Sequence, residues 1–157
     1  MGRFFAGRLR KAGLEVRLLD KPLAAHEAAE CVPGSDLVLL AVPPEAVADA
    51  LSELEGLLSP DSVLADICSV KVEPLRQMLA VHSGPVVGTH PLFGPEPGPG
   101  TALRVALVPG RDDRAREWVR ELLSRSGLDP FEAEAAEHDR AMAFLQGLNF
   151  ATTTAYL

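Results

Sequence analysis

At 157 residues the chain is sized for one domain, or one domain with a piece of another. Its hydrophobic fraction of 47% and charged fraction of 24% suit a soluble globular protein, and one Trp and one Tyr leave the core to Leu, Val and Ala. A formal charge of −7, with no basic stripe carrying interleaved aromatics, excludes a nucleic-acid surface, and apolar runs such as Leu37–Val42 are too short to span a bilayer.

Taken in order, the chain alternates helix-period segments with short apolar runs, the pattern of a mostly parallel sheet covered by helices. A helix is expected from about Arg3 to Ala12, with Phe4, Phe5, Leu9 and Ala12 inward and Gly13 as its stop. Leu14–Leu19 reads as a strand ending at Asp20, Ala24–Cys31 as a short helix, and Pro33-Gly34-Ser35 as a turn. Leu37–Val42 is a buried strand closed by Pro43-Pro44. Val47, Leu51, Leu54 and Leu58 then mark an amphipathic helix over Glu45–Leu58. Ser62–Ile67 is the next strand, Val72–Val81 a helix, and Pro85–Gly88 a strand leading into His90. The Pro/Gly-rich stretch Pro91–Gly100 is a loop. A strand over Ala102–Val108, a helix over Arg114–Ser126 and a strand over Asp129–Ala133 follow, and one long helix runs from Glu137 to the end.

This succession predicts an α/β, Rossmann-like fold with helices on both faces of the sheet. A dinucleotide-binding unit opens strand, glycine-rich turn, helix, and here Met1-Gly2 reads as the tail of a G-x-G-x-x-G turn. Gly2 then stands as its third glycine, the one that permits close helix–strand contact, and the first strand of the sheet is expected to be missing. Residues 1–135 form the dinucleotide-binding domain, incomplete at its N-terminus, and 136–157 the start of a helical domain. Cys31 and Cys68 have neither metal-ligand spacing nor companions for a disulfide framework, and no metal site is expected. With no signal-peptide pattern at the N-terminus, a reduced, cytoplasmic protein is expected.

The residues able to carry chemistry cluster where strands end, the side of an open α/β sheet on which ligands sit. Asp20 ends the second-position strand, where a carboxylate can accept hydrogen bonds from the ribose hydroxyls of NAD, or simply serve a turn. Lys21 beside it softens that preference. Val42 and Pro43 form either an apolar wall of the cofactor crevice or a stiff strand exit. Ser69, after the next strand, can hydrogen-bond a substrate hydroxyl or cap the following helix, and Lys71 reads as a solvated first-turn lysine or as a contact for an anion. His90 either finishes its strand as a polar residue or moves a proton near neutral pH. His138 and Asp139 suit the N-terminus of the last helix, whose Met142, Leu145 and Leu148 read as a buried stripe. His26 and His82 fall on ordinary helical surface.

Three motifs together resemble one family. Asp66-Ile67-Cys68-Ser69-Val70-Lys71, then Gly88-Thr89-His90-Pro91-Leu92-Phe93-Gly94-Pro95, then Glu137-His138-Asp139 with Met142-Ala143-Phe144 look like prephenate dehydrogenase, in order and over nearly the whole chain. The opening Met1-Gly2-Arg3-Phe4-Phe5 resembles that family's last glycine and following helix. The resemblance implies NAD-dependent oxidative decarboxylation of prephenate to 4-hydroxyphenylpyruvate, in tyrosine biosynthesis, by a protein that is a homodimer at full length. His90 would accept the proton of the ring hydroxyl as hydride leaves, with Ser69 holding hydroxyl and imidazole in register. Glu96 is similar in position to an acidic residue that guards the pocket in some relatives, or it is a solvated loop residue. Where several relatives carry a second histidine in the long helix, this chain has Asn149 and Phe150. The family's first two pyrophosphate glycines and the helical domain with its carboxylate-binding arginine are not in the sequence, so the chain alone is expected to be inactive or weak. Two other readings stay open: a dehydrogenase of arogenate, and a non-catalytic remnant serving binding or assembly.

Overall fold

The computed structural model describes residues 1–20 and 25–155, with side chains described for 1–20 and 26–145. Its sheet has five strands in the order β1-β2-β3-β4-β5. They are β1 (Leu37–Leu40), β2 (Val63–Asp66), β3 (Val86–Pro91), β4 (Arg104–Arg111) and β5 (Asp129–Glu132). β1, β2 and β3 are parallel, β4 runs antiparallel to β3, and β5 is parallel to β4. The helices are α1 (Gly2–Lys11), α2 (Ala25–Cys31), α3 (Val47–Glu53, preceded by a 3₁₀ turn over Pro44–Ala46), α4 (Val72–Val81), α5 (Asp113–Arg125) and α6 (Ala135–Ala155).

Side-chain alternation along the strands divides the core in two. Leu40, Leu64, Val86 and Val108 meet α3 and α4 through Val47, Leu51, Leu75 and Met78 on one face. Val63, Val87, Val105 and Leu107 meet α1 and α5 through Phe5, Val119 and Leu123 on the other. Helices therefore cover both faces, as the alternating sequence predicts. Glycine sets two local details. Gly13, at φ 89°, ends α1 in a conformation that β-carbons oppose. Gly110 lies in a register shift where Val86 pairs with Arg111 but Val87 with Pro109. A β-carbon there would come within 2.3 Å of the Val86 carbonyl oxygen, a backbone atom that cannot swing aside. Gly110→Ala is therefore expected to cost about 1–3 kcal/mol, read as a lower urea midpoint at unchanged m.

Three expectations change. Leu14–Leu19 joins no ladder among the described residues. A strand exists only through a hydrogen-bonding neighbour, and what lies between this segment and β1 is a cleft of about 500 Å³, lined by Gly2, Phe5, Val16, Leu39 and Trp118 among others. The segment is held instead from α1, where Arg10 Nη2 donates to the Val16 carbonyl at 2.7 Å. Secondly, the helix expected over Glu45–Leu58 is one turn of 3₁₀ followed by a short α-helix, since Leu54 closes it and Glu55–Leu57 turn. Finally, Met142 is half-buried and Leu145 is exposed, because α6 touches the rest of the domain chiefly through α4. Leu148 lies outside the described side chains. None of the described helices is long and apolar enough to cross a membrane.

Candidate active site

His90 lies near the end of β3, paired in register with Ala106 of β4 and almost fully buried. Strand and motif thus deliver the imidazole to the carboxyl end of the parallel strands. The chain turns away there through Leu92 and Phe93, and Phe93 meets Phe4 of α1 edge-on with ring centroids 5.3 Å apart. This contact fastens the loop behind His90 to the first turn of α1, whose N-terminus has no side-chain cap.

Beneath His90 is an ionic lock that the sequence reading did not find. Lys71, expected in solvent, is fully buried: its ammonium pairs with Asp66 and donates to the Thr89 carbonyl at 2.6 Å. Asp66 ends β2, and its carboxylate also accepts from the backbone of Cys68 at 3.0 Å and of Thr89 at 3.3 Å. The Lys71 stem runs past Gly88, where a β-carbon would stand in ordinary contact with Lys71 Cδ at 3.4 Å. Burial pulls the Lys71 pKa down while Asp66 opposes that pull. The same burial, with Asp66 adding to it, pushes the Cys68 thiol up to about 12, so it is inert as a nucleophile.

α6 supplies the second missed group. His138 is buried, its Nε2 lying 2.9 Å from His90 Nδ1 and its Nδ1 2.8 Å from Asp139 Oδ1. Asp139 in turn accepts from the amides of Lys71 at 2.7 Å and Val72 at 2.9 Å, capping α4. The helix-terminus role expected for Asp139 is real, but it serves a different helix from its own. It also displaces Ser69 from the capping role: α4 begins at Val72, three residues beyond Ser69, and its first amides are taken. Ser69 itself sits half-buried in the bend between β2 and α4, and among the described residues no hydrogen bond joins it to His90. His90 has its pKa lowered to about 4, by burial first, then by His138 and Lys71, with Asp139 opposing.

The residues expected at the cofactor gather at one place. Gly2 opens α1, and a β-carbon on it would meet the Ala41 β-carbon at 3.0 Å, just past the end of β1. Gly2, Asp20 and Val42 line the same cleft, and Asp20 reaches Arg3 of α1 at 3.9 Å, an exposed pair. Pro43 is exposed immediately after Val42, whose carbonyl accepts from the Cys68 thiol at 3.5 Å. Lys21 lies outside the described residues, as do the side chains of Asn149 and Phe150. Glu96 is exposed in the loop after the histidine motif.

The profile of the prephenate dehydrogenase nucleotide-binding domain matches residues 6–112. The chain belongs to this family. A T-protein of Enterobacter agglomerans is 36% identical to it over 156 residues, which is 99% of this chain and 41% of that protein. Prephenate dehydrogenase from Aquifex aeolicus has the same fold, with a TM-score of 0.84 at 20% identity over 99% of this chain and 66% of that one. A second crystal structure of the Aquifex aeolicus enzyme, with hydroxyphenyl propionate and NAD+, aligns at a TM-score of 0.81 and 21% identity, over 99% of this chain and 65% of that one. The chain thus spans about two-fifths of the length of its curated relative.

Within this prephenate dehydrogenase domain, the missed residues had partial signals. Gly88 inside a strand marks a close approach: a β-carbon there would meet the Val108 β-carbon at 3.3 Å and touch the Lys71 stem. His82, assigned to helical surface, is buried with Nε2 2.8 Å from the Ser62 carbonyl, and Arg111 closes over it by donating to the His82 carbonyl. It lies one residue past α4, where the chain turns inward to start β3. His26 is exposed, as expected.

Proposed function

We propose that this chain is the nucleotide-binding portion of an NAD-dependent prephenate dehydrogenase that converts prephenate to 4-hydroxyphenylpyruvate and carbon dioxide. The observation carrying this reading is His90: a buried imidazole at the carboxyl end of β3, uncharged at neutral pH, in a domain of this family. The residues at the nucleotide end fit NAD. The uncapped amides of α1 suit a pyrophosphate, Gly2 lets α1 start close against Ala41 at the end of β1, and Asp20 is placed beside α1 for ribose hydroxyls. When bound, NAD supplies the hydride acceptor.

His90 takes the proton of the hydroxyl on ring C4 as the C4–H bond breaks with its electron pair. The bond from the ring to its carboxylate then breaks, carbon dioxide departs, and the bond's electrons aromatise the ring as a phenolate whose oxygen takes a proton back from His90. As hydride leaves, the hydroxyl becomes a protonated carbonyl, a strong acid, so a base of low pKa suffices. Ser69, from the bend after β2, holds the substrate hydroxyl beside the imidazole. Glu96 belongs to the solvated rim of the loop. Residues 1–135 form the cofactor unit and 136–157 begin a helical unit through which the full-length, cytoplasmic enzyme pairs as a homodimer.

The experiment is to add NAD+ and prephenate and follow NADH absorbance. Turnover is expected in a full-length polypeptide carrying this chain, and rates near background from the 157 residues alone. Robust turnover by the chain alone would contradict the fragment reading. Turnover of arogenate in place of prephenate would reassign the substrate, and none with either would favour a binding remnant.

A further inference from the structure

We infer that His138 and Asp139 are positioning residues that lock His90 in one tautomer, with its proton on Nδ1 and its lone pair on Nε2. Its meaning for catalysis rests on the reading of His90 as proton acceptor; the tautomer itself follows from hydrogen-bond bookkeeping. A carboxylate only accepts. Asp139 Oδ1 is met by the Lys71 amide at 2.7 Å and His138 Nδ1 at 2.8 Å, and Oδ2 by the Val72 amide at 2.9 Å. Burial pushes the Asp139 pKa up, but the Val72 amide, His138 and the Lys71 amide outweigh it and hold the pKa below the usual range. The Asp139 carboxylate is thus ionised and held by donors on both oxygens.

His138 must therefore carry a proton on Nδ1, and with that proton alone its Nε2 is an acceptor. At 2.9 Å from that nitrogen, His90 Nδ1 has to be the donor. The remaining nitrogen of His90, Nε2, is left as the base. The order of protons is fixed from α6 inward, much as a carboxylate orients a catalytic histidine in hydrolase triads. The link is also conditional on fold. Asp139 is held by the first amides of α4, so α6 must be docked on α4 for His90 to be set. The groups that bear on a charge at His90 are His138 and Lys71, which oppose it, and Asp139, which supports it.

The test is a long-range 1H–15N spectrum of the imidazoles in the 15N-labelled 157-residue chain at neutral pH. His90 is expected as a single tautomer with Nδ1 protonated and Nε2 bare. His138→Phe removes the acceptor and should move both His90 nitrogen signals toward values averaged over two tautomers. His138→Gln offers a carbonyl oxygen and should restore the original pattern. A wild-type His90 protonated on Nε2 overturns the inference, as does an unchanged His90 in a folded His138→Phe variant. If that variant does not fold, the wild-type spectrum decides alone. None of these readouts uses turnover, so failure of the tautomer lock is separable from failure of the catalytic reading, which loss of activity on changing His90 addresses.

Discussion

Replacing Lys71 with methionine is expected to destabilise the domain by about 3–5 kcal/mol, the range seen when one partner of a buried ion pair is removed. Methionine keeps most of the stem, so packing beside Gly88 is preserved and the loss is that of the charge. Asp66 would remain fully buried with its carboxylate left to uncharged neighbours, among them the amides of Cys68 and Thr89. Against total stabilities of about 5–15 kcal/mol for single domains, such a loss should be evident as a large drop in denaturant midpoint. The double variant Asp66→Asn/Lys71→Met removes the stranded charge as well, and should recover at least about 1 kcal/mol relative to Lys71→Met. A loss under about 1 kcal/mol for the single variant would mean that water reaches Asp66, and that the lock contributes little to holding Thr89 and its neighbour His90.

The elements legible in the sequence are those whose identity is local. Leu37–Leu40 and Val63–Asp66 announce themselves as short apolar runs, and Val72–Val81 and Asp113–Arg125 by their helical spacing. The place of His90 was legible too, because a strand ending in proline and glycine leaves few options for where the side chain goes. What failed depended on distant partners. Leu14–Leu19 has the pattern of a strand, but a ladder needs a neighbour, and here that flank is a cleft. Lys71 looks solvated because charge predicts exposure. Asp66, five residues back, and the Thr89 carbonyl on β3 make its burial tolerable. His138 is 48 residues from His90, and nothing local to either histidine shows that α6 returns to β3. Long-range pairing of polar groups is invisible to periodicity, because periodicity records which face is apolar and says nothing of which polar groups meet.

The site's two halves come from opposite ends of the chain and are joined by small contacts. Phe4 and Phe93 tie the nucleotide end of α1 to the histidine loop, while Asp139 ties α6 to α4. Fold and site are therefore coupled through residues that do not themselves react. Loosening either tie should shift His90 before it unfolds the sheet, since the strands have a separate apolar core on each face.

His90→Ala in the full-length enzyme is expected to lower turnover by about 10²–10⁴-fold, the range for removing a general base, while leaving NAD affinity nearly unchanged. The affinity should hold because the residues placed for NAD, Gly2 at the start of α1 and Asp20 beside Arg3, do not include His90. A pH profile gives the sharper result. With the His90 pKa lowered to about 4, the imidazole is uncharged at neutral pH, and kcat/KM should stay flat as pH falls through 6.5, where an ordinary histidine would titrate. The acid limb should appear only near pH 4. Stability follows the same proton with its own sign. Between about 6.5 and 4 the unfolded chain binds a proton at this histidine and the folded chain does not, so His90 favours folding above that window and loses its contribution as pH falls through it. An acid limb in kcat/KM at 6.5 or above would show an imidazole open to solvent in the working enzyme, and would remove the burial on which the assignment of His90 as proton acceptor depends.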